Sequence, residues 1–301
     1  MYEQYFGLKE KPFSLNPDPD YLYLSKKHQD ALTTLNYGLR SQAGITVVTG
    51  EVGSGKTTLI QHILNHMEKD LAVGLVSNVQ GAYGELLNWV LNAFELEHEG
   101  KGRVTCYQDF YDYLVDEYSK NHRTVLIIDE AQNLGKQMLE ELRLLSNINV
   151  GKHFVLQMIL VGQPELLELL QSKELRQFSQ RISVNYHLDA LNLEETQSYI
   201  NHRIKIAGGN KGVFTNSACA GIFYHTSGVP RLINSLCDMA LTYCFEADKE
   251  RVDIDTVIEV VKDKSVGGIA AIGKPQSREA EEIYNMLKAN EKGDVGGGVD
   301  G

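Results

Sequence analysis

The chain has 301 residues, 43% hydrophobic and 23% charged, the balance of a soluble globular protein long enough to bury a substantial core. Its net charge of −11 weighs against a protein whose main task is wrapping nucleic-acid phosphates, which calls for a basic surface. The first forty residues hold five acidic and five basic side chains, and residues 201–264 hold eight of each, so no basic cluster offsets that total.

In chain order, "MYEQYFGLKEKPF" lacks the positively charged start and apolar run of an export signal, so a cytoplasmic chain with reduced thiols is expected. A Pro- and Asp-rich loop, "PFSLNPDPDYLYLS", leads into a helix from about Lys26, with Ala31, Leu32, Leu35 and Leu39 at helical spacing. Residues 45–188 then alternate the apolar runs "ITVVTG", "LAVGLVSNV", "TVLIIDE", "FVLQMILVG" and "ISVNYHL" with stretches of helical period. This alternation predicts an α/β fold, a parallel sheet sandwiched by helices. After Leu188 four consecutive helical segments without an intervening strand predict a small all-α domain, and from Ser265 a glycine-rich tail reads as a flexible linker with one charged helix candidate near 277–290. The longest stretch free of Asp, Glu, Lys and Arg, Gly212 to Pro230, holds too many polar residues to span a membrane.

Between the first apolar run and the next helix lies "GEVGSGKTT", residues Gly50, Glu51, Val52, Gly53, Ser54, Gly55, Lys56, Thr57 and Thr58. It fits G-x-x-x-x-G-K-[ST] between a strand and a helix, the context that motif requires. Glycines let successive backbone N–H groups converge on an anion at a helix N-terminus. Lys56 is then placed for the β- and γ-phosphates of ATP, and the Thr57 hydroxyl for Mg²⁺. The run "TVLIIDE" ends in two carboxylates, Asp129 and Glu130, costly at a buried strand end unless a cation or partner compensates them. Asp129 is expected to join the Mg²⁺ shell and Glu130 to polarise an attacking water.

Other features read more plainly. Cys106, Cys219, Cys237 and Cys244 have no zinc-site spacing. His62 and His66 stand four apart on a helix that should pack against the sheet, and no Glu follows His62, which disfavours a metal. In "CYQDFYDYLVDEY", Tyr107, Phe110, Tyr111, Leu114 and Tyr118 share a helical face, which favours core packing over base stacking.

Taken together, "YFGLKEKPFSLNPDPDYLYLS", "GEVGSGKTTL", "IIDEAQNL", "EELRLLSN", "LVGQPEL", "LRQFSQRI", "YHL" and "SGVPRLIN" resemble the ExeA/GspA/MshM group of AAA+ ATPases over about residues 1–264. The resemblance implies residues 1–44 as strap and helix of the nucleotide-binding module, 45–189 as the ATPase core, 190–264 as a helical lid and 265–301 as the tail. It places Gln163 where many AAA+ proteins carry an Asn that orients the lytic water. Arg181 stands where an arginine finger is kept, with Arg176 as competitor, and Arg231 where a second sensor arginine is kept. The N-terminal loop with Phe13, Tyr23 and His28 is similar to a segment that lies over adenine, or is a packing strap. Members of the general secretion type add a transmembrane segment and a peptidoglycan-binding domain, which nothing after Ser265 matches, so short members such as MshM are the nearer comparison.

The implied function is ATP hydrolysis that energises or organises bacterial envelope assembly, whether secretion, pilus or exopolysaccharide machinery. Self-association into a ring, partners at the inner membrane and a cytoplasmic or partner-held peripheral location go with it. TniB and TnsC, transposition ATPases that act on DNA, share much of the pattern, but the acidic balance weighs against that alternative. A nucleotide-gated scaffold without turnover is the third reading, and Glu130 counts against it.

Overall fold

The computed structural model describes residues 1–16, 18–66, 70–77 and 85–266. In chain order the elements are α1 (Tyr2–Tyr5), α2 (Lys26–Arg40), β1 (Ile45–Gly50), α3 (Lys56–Asn65), β2 (Leu71–Val76), α4 (Leu86–Ala93), α5 (Arg103–Ser119), β3 (Arg123–Ile128) and α6 (Gly135–Leu145). A short hairpin follows, β4 (Asn149–Val150) and β5 (His153–Phe154), then β6 (Leu156–Gly162), α7 (Glu165–Leu170), α8 (Arg176–Ser179) and β7 (Ile182–Leu188). The chain continues as α9 (Leu193–Ile206), α10 (Asn216–Thr226), α11 (Pro230–Glu246) and α12 (Ile254–Val266). The glycine-rich tail from 267, with its helix candidate, lies outside the described residues, as do residues 78 and 79 of the second apolar run.

Two compact units form, one of residues 28–52 and 59–188, the other of residues 1–27, 53–58 and the chain from Asp189. In the first unit five strands pair in parallel in the order β2-β3-β6-β1-β7. The three inner strands β3, β6 and β1 are buried along nearly their whole length because both faces are covered, whereas edge β7 alternates exposed and half-buried residues. Leu126, Ile128, Met158 and Leu160 point into a core built with α4, α5, α6 and α7. Their neighbours Val125, Ile127, Ile159 and Val161 point the other way, against Leu35 of α2 and Leu59, Ile60 and Ile63 of α3. The expected sheet sandwiched by helices is therefore the observed one.

α5 corrects one expectation. Its buried residues are Cys106, Phe110 and Leu114, whereas Tyr107 and Tyr118 are 40% and 37% exposed. The aromatic count along the helix drew the face too wide; the stripe that meets Phe94 is narrower.

The second unit is the helical one, and its boundary differs from the expected one at residue 44. Residues 1–27 pack with α9–α12: Tyr2, Leu8, Phe13 and Tyr21 are buried in the same core as Ile200, Ile222, Leu236 and Val257. Arg203 of α9 explains the tie. Buried in the core, it donates from Nε to the Pro12 carbonyl (2.5 Å) and from Nη1 to the Tyr199 hydroxyl (2.9 Å), and its guanidinium stacks over the Tyr21 ring at 4.7 Å. Tyr199 in turn donates to Asn234 Oδ1 (2.8 Å), while Asn234 reaches the Ser14 carbonyl. The loop's Tyr23 ring packs on Tyr199 and His202, as a packing strap does.

Caps set the helix ends. Asn192 and Glu195 form a reciprocal capping box at α9, and Thr215 caps α10. α10 ends with Ser227 and Gly228 in the left-handed region (φ 50° and 74°), and Pro230 opens α11, so "TSGVPR" turns one helix directly into the next. The turn needs glycine: a Cβ at Gly228 would lie 1.8 Å from the Leu191 carbonyl oxygen.

Candidate functional site

The glycine-rich loop occupies the five residues between the end of β1 at Gly50 and the start of α3 at Lys56. Gly53 and Gly55 take φ values of 81° and 102°, which only glycine adopts without strain. Ser54 and Lys56 are buried, at 1% and 6% exposure. Among the described residues the Ser54 Oγ has no hydrogen-bond partner, and a buried hydroxyl in that state costs about 1–3 kcal/mol. A buried ammonium, an orphaned hydroxyl and two positive-φ glycines at a helix N-terminus together fit a polyphosphate anion.

Arg231 belongs to this same set of residues. As the second residue of α11 after Pro230, its N–H has no acceptor within the helix. It donates to the Gly53 carbonyl at 3.2 Å. The approach is so close that a Cβ on Gly53 would lie 2.5 Å from Arg231 Cβ. Glycine at 53 is thus required twice, by its dihedral and by Arg231. The sequence placed Arg231 at a helix start; the fold brings that start onto the loop.

The carboxylates lie in the sheet unit. Parallel register aligns the strand ends, Thr49 opposite Gly162 and Ile128 opposite Leu160, so Gly50, Asp129 and Gln163 leave the sheet along one edge. Asp129 continues the ladder, donating its N–H to the Val76 carbonyl (2.9 Å), and accepts the Glu130 N–H on Oδ1 (2.9 Å). Glu130 itself sits in the left-handed region at φ 55°, a strained position for a side-chain-bearing residue. Its Oε2 accepts from two amides, Gln132 Nε2 at 2.5 Å and Gln163 Nε2 at 3.0 Å. The Gln163 backbone N–H donates to Gln132 Oε1 at 3.0 Å, which closes a ring of three residues. The sequence singled out Glu130 and Gln163 separately, and the structure brings them into contact. Gln132 went unassigned; its only signal was an amide two residues beyond the acid in "DEAQ".

The two candidate finger arginines differ. Arg181, half-buried, donates from Nη1 to the Ser146 hydroxyl (2.8 Å) at the end of α6. Arg176 is exposed and, among the described residues, its side chain makes no hydrogen bond or ion pair; with Lys173 it lines a cleft of about 450 Å³ floored by Leu167, Leu170 and Val184.

The four cysteines are free and buried, and burial pushes the Cys219 thiol up to about 12 and Cys244 up to about 11, so neither forms a thiolate at neutral pH. His66 Nδ1 bonds the His62 carbonyl with the rings 4.2 Å apart, and among the described residues no group of three His, Cys, Asp or Glu is arranged to hold a metal. No helix among them is long and apolar enough to cross a membrane.

Sheet order, glycine-rich loop and paired acids define the class. Residues 39–170 match the AAA domain family, and the chain has the AAA-type P-loop NTPase fold. Solved structures agree at the level of fold. The ORC2 protein of Aeropyrum pernix, in its ADPNP-ADP complexes, is 16% identical with a TM-score of 0.60, covering 94% of this chain and 89% of that one. Cdc6p from Pyrobaculum aerophilum is 13% identical with a TM-score of 0.64 (85% and 71%), and the RuvB branch migration motor of Thermotoga maritima is 21% identical with a TM-score of 0.53 (89% and 82%).

In sequence the chain is related to General secretion pathway protein A of Aeromonas hydrophila. The two are 37% identical over 253 residues, which is 84% of this chain and 46% of that protein. The chain thus spans about half the length of that relative.

Proposed function

We propose that the chain binds and hydrolyses ATP, and that the cycle drives or organises assembly of a bacterial envelope machine. The chemical half of this reading rests on the loop, where the Ser54 hydroxyl and the Lys56 ammonium are buried together beside positive-φ glycines. Residues 50–58 would cradle the phosphates, Lys56 neutralising the β- and γ-groups and Arg231 adding a second cation from α11. Thr57 and Asp129 would hold Mg²⁺, which supplies charge neutralisation on the phosphate oxygens when bound. Glu130 accepts the proton of the attacking water, and Gln163 holds the far side of that carboxylate. Arg181 is the candidate that a neighbouring copy would present to the site, with Arg176 the next, so activity would depend on self-association into a ring or other oligomer.

The biological half rests on the relationship to General secretion pathway protein A. It supports work at the cytoplasmic face of the inner membrane, held there through secretion, pilus or polysaccharide-assembly partners. A DNA-associated role of the transposition type has less support, since the chain is acidic overall.

Glu130→Gln separates binding from chemistry. The variant should keep ATP bound and slow phosphate release by about 10²–10⁴-fold, the usual contribution of a general base. Turnover at the wild-type rate would mean that the water is activated elsewhere.

A further inference from the structure

We infer that Gln132 is a positioning residue for Glu130, a strut that fixes one carboxylate oxygen and with it the direction in which the carboxylate faces. The inference rests on the reading of Glu130 as the base and adds a residue to it.

The orientation of the Gln132 amide follows from its partners. The Gln163 backbone N–H can only donate, so the Gln132 atom that meets it is Oε1. The amino group then faces the other way, onto Glu130 Oε2 at 2.5 Å. One backbone hydrogen bond at the tip of β6 therefore determines which end of the amide meets the acid. Gly162 makes room for this: a Cβ there would lie 2.9 Å from Gln132 Oε1 and 2.8 Å from Leu166 Cδ2.

The turn that carries Glu130 is held from several sides. Asp129 Oδ1 takes the Glu130 N–H, and the Glu130 carbonyl accepts the Asn133 N–H at 2.9 Å. A left-handed glutamate costs about 1–3 kcal/mol and persists only where its surroundings over-determine it. That strain aims the side chain at the β6 tip, where both amides converge on the same oxygen, Oε2. A carboxylate anchored through one oxygen cannot rotate about its terminal torsion, which otherwise is broad. Gln132 adds a second donor on that oxygen to the one that Gln163 supplies.

The test compares full-length Gln132→Ala, Glu130→Gln and the double variant in steady-state ATP hydrolysis, ATP affinity and melting temperature. Gln132→Ala should lower kcat by about 10- to 100-fold, the penalty of a misplaced catalytic group, with ATP affinity unchanged. In the Glu130→Gln background it should add nothing, since the two act through one group. A full-rate Gln132→Ala beside a slow Glu130→Gln overturns this inference alone, as does full additivity of the two. A Glu130→Gln variant at wild-type rate, or a wild type that does not hydrolyse ATP, overturns the reading beneath it.

If Gln132→Ala fails to fold, Gln132→Met gives the answer. It keeps the length of the side chain but can neither donate to Glu130 nor accept from Gln163. It should lower kcat with ATP affinity unchanged and add nothing in the Glu130→Gln background. A full-rate Gln132→Met beside a slow Glu130→Gln would sink the inference.

Discussion

The helical unit and the sheet unit both enclose polar side chains, and they put them to opposite uses. In the helical unit Arg203 is buried, with both hydrogen bonds and its aromatic stack directed inward, to Pro12, Tyr199 and Tyr21. It ties a segment about 190 positions away in sequence to α9. In the sheet unit the polar groups stand where strands stop. Asp129, Glu130 and Gln163 follow β3 and β6, and Glu130 and Gln163 bond each other and Gln132. Burial alone therefore does not mark a functional residue. Arg203 is more enclosed than Arg181, yet only Arg181 sits beside a strand of the sheet that carries the acids.

Substitutions can break or sharpen that contrast. The largest effect is expected for Arg181→Ala, a rate loss of about 10³–10⁵ if it acts as an arginine finger, against a stability change of about 1 kcal/mol from the lost Ser146 bond. Mixing Arg181→Ala with Lys56→Ala subunits should restore part of the ATPase activity, because each supplies the half-site the other lacks. Mixed oligomers that form and stay inactive would transfer the role to the exposed Arg176.

In the helical unit the signs reverse, and stability should fall rather than chemistry. Gly228→Ala forces a left-handed residue against the Leu191 carbonyl and should cost about 3 kcal/mol or more in urea unfolding. Arg203→Met leaves the Pro12 carbonyl and the Tyr199 hydroxyl without their donor, at about 2–3 kcal/mol, and should expose residues 1–27 to protease. If Arg203→Met instead unfolded normally but lost ATPase activity, the two units would not divide their polar groups between holding and acting.

Much of this was readable in one dimension. "VLII" and "MILV" had to be strands covered on both faces, because an unbroken apolar run of strand length leaves neither face polar enough to meet water. "GEVGSGKTT" foretold a tight turn between strand and helix because its glycine spacing meets the demands of the backbone, and Gly53 and Gly55 do take positive φ. "SGVPR" likewise holds its own instructions, a left-handed exit followed by proline at a helix start. Each of these depends on neighbours a few residues apart, which is the range over which sequence alone determines structure.

What only the tertiary structure decided lies at longer range. The strap's place with α9–α12 depends on Arg203 finding the Pro12 carbonyl, and a lone arginine in an amphipathic helix carries no mark of its partner. The wide aromatic face drawn on α5 failed for the same reason, since which stripe is buried depends on where Phe94 comes to rest. Arg231 meets Gly53, and Gln132 meets Gln163 across 31 positions, only because helix packing and parallel register bring those backbones together. Pattern in the chain specifies which groups must be satisfied locally; the fold chooses which distant group satisfies them.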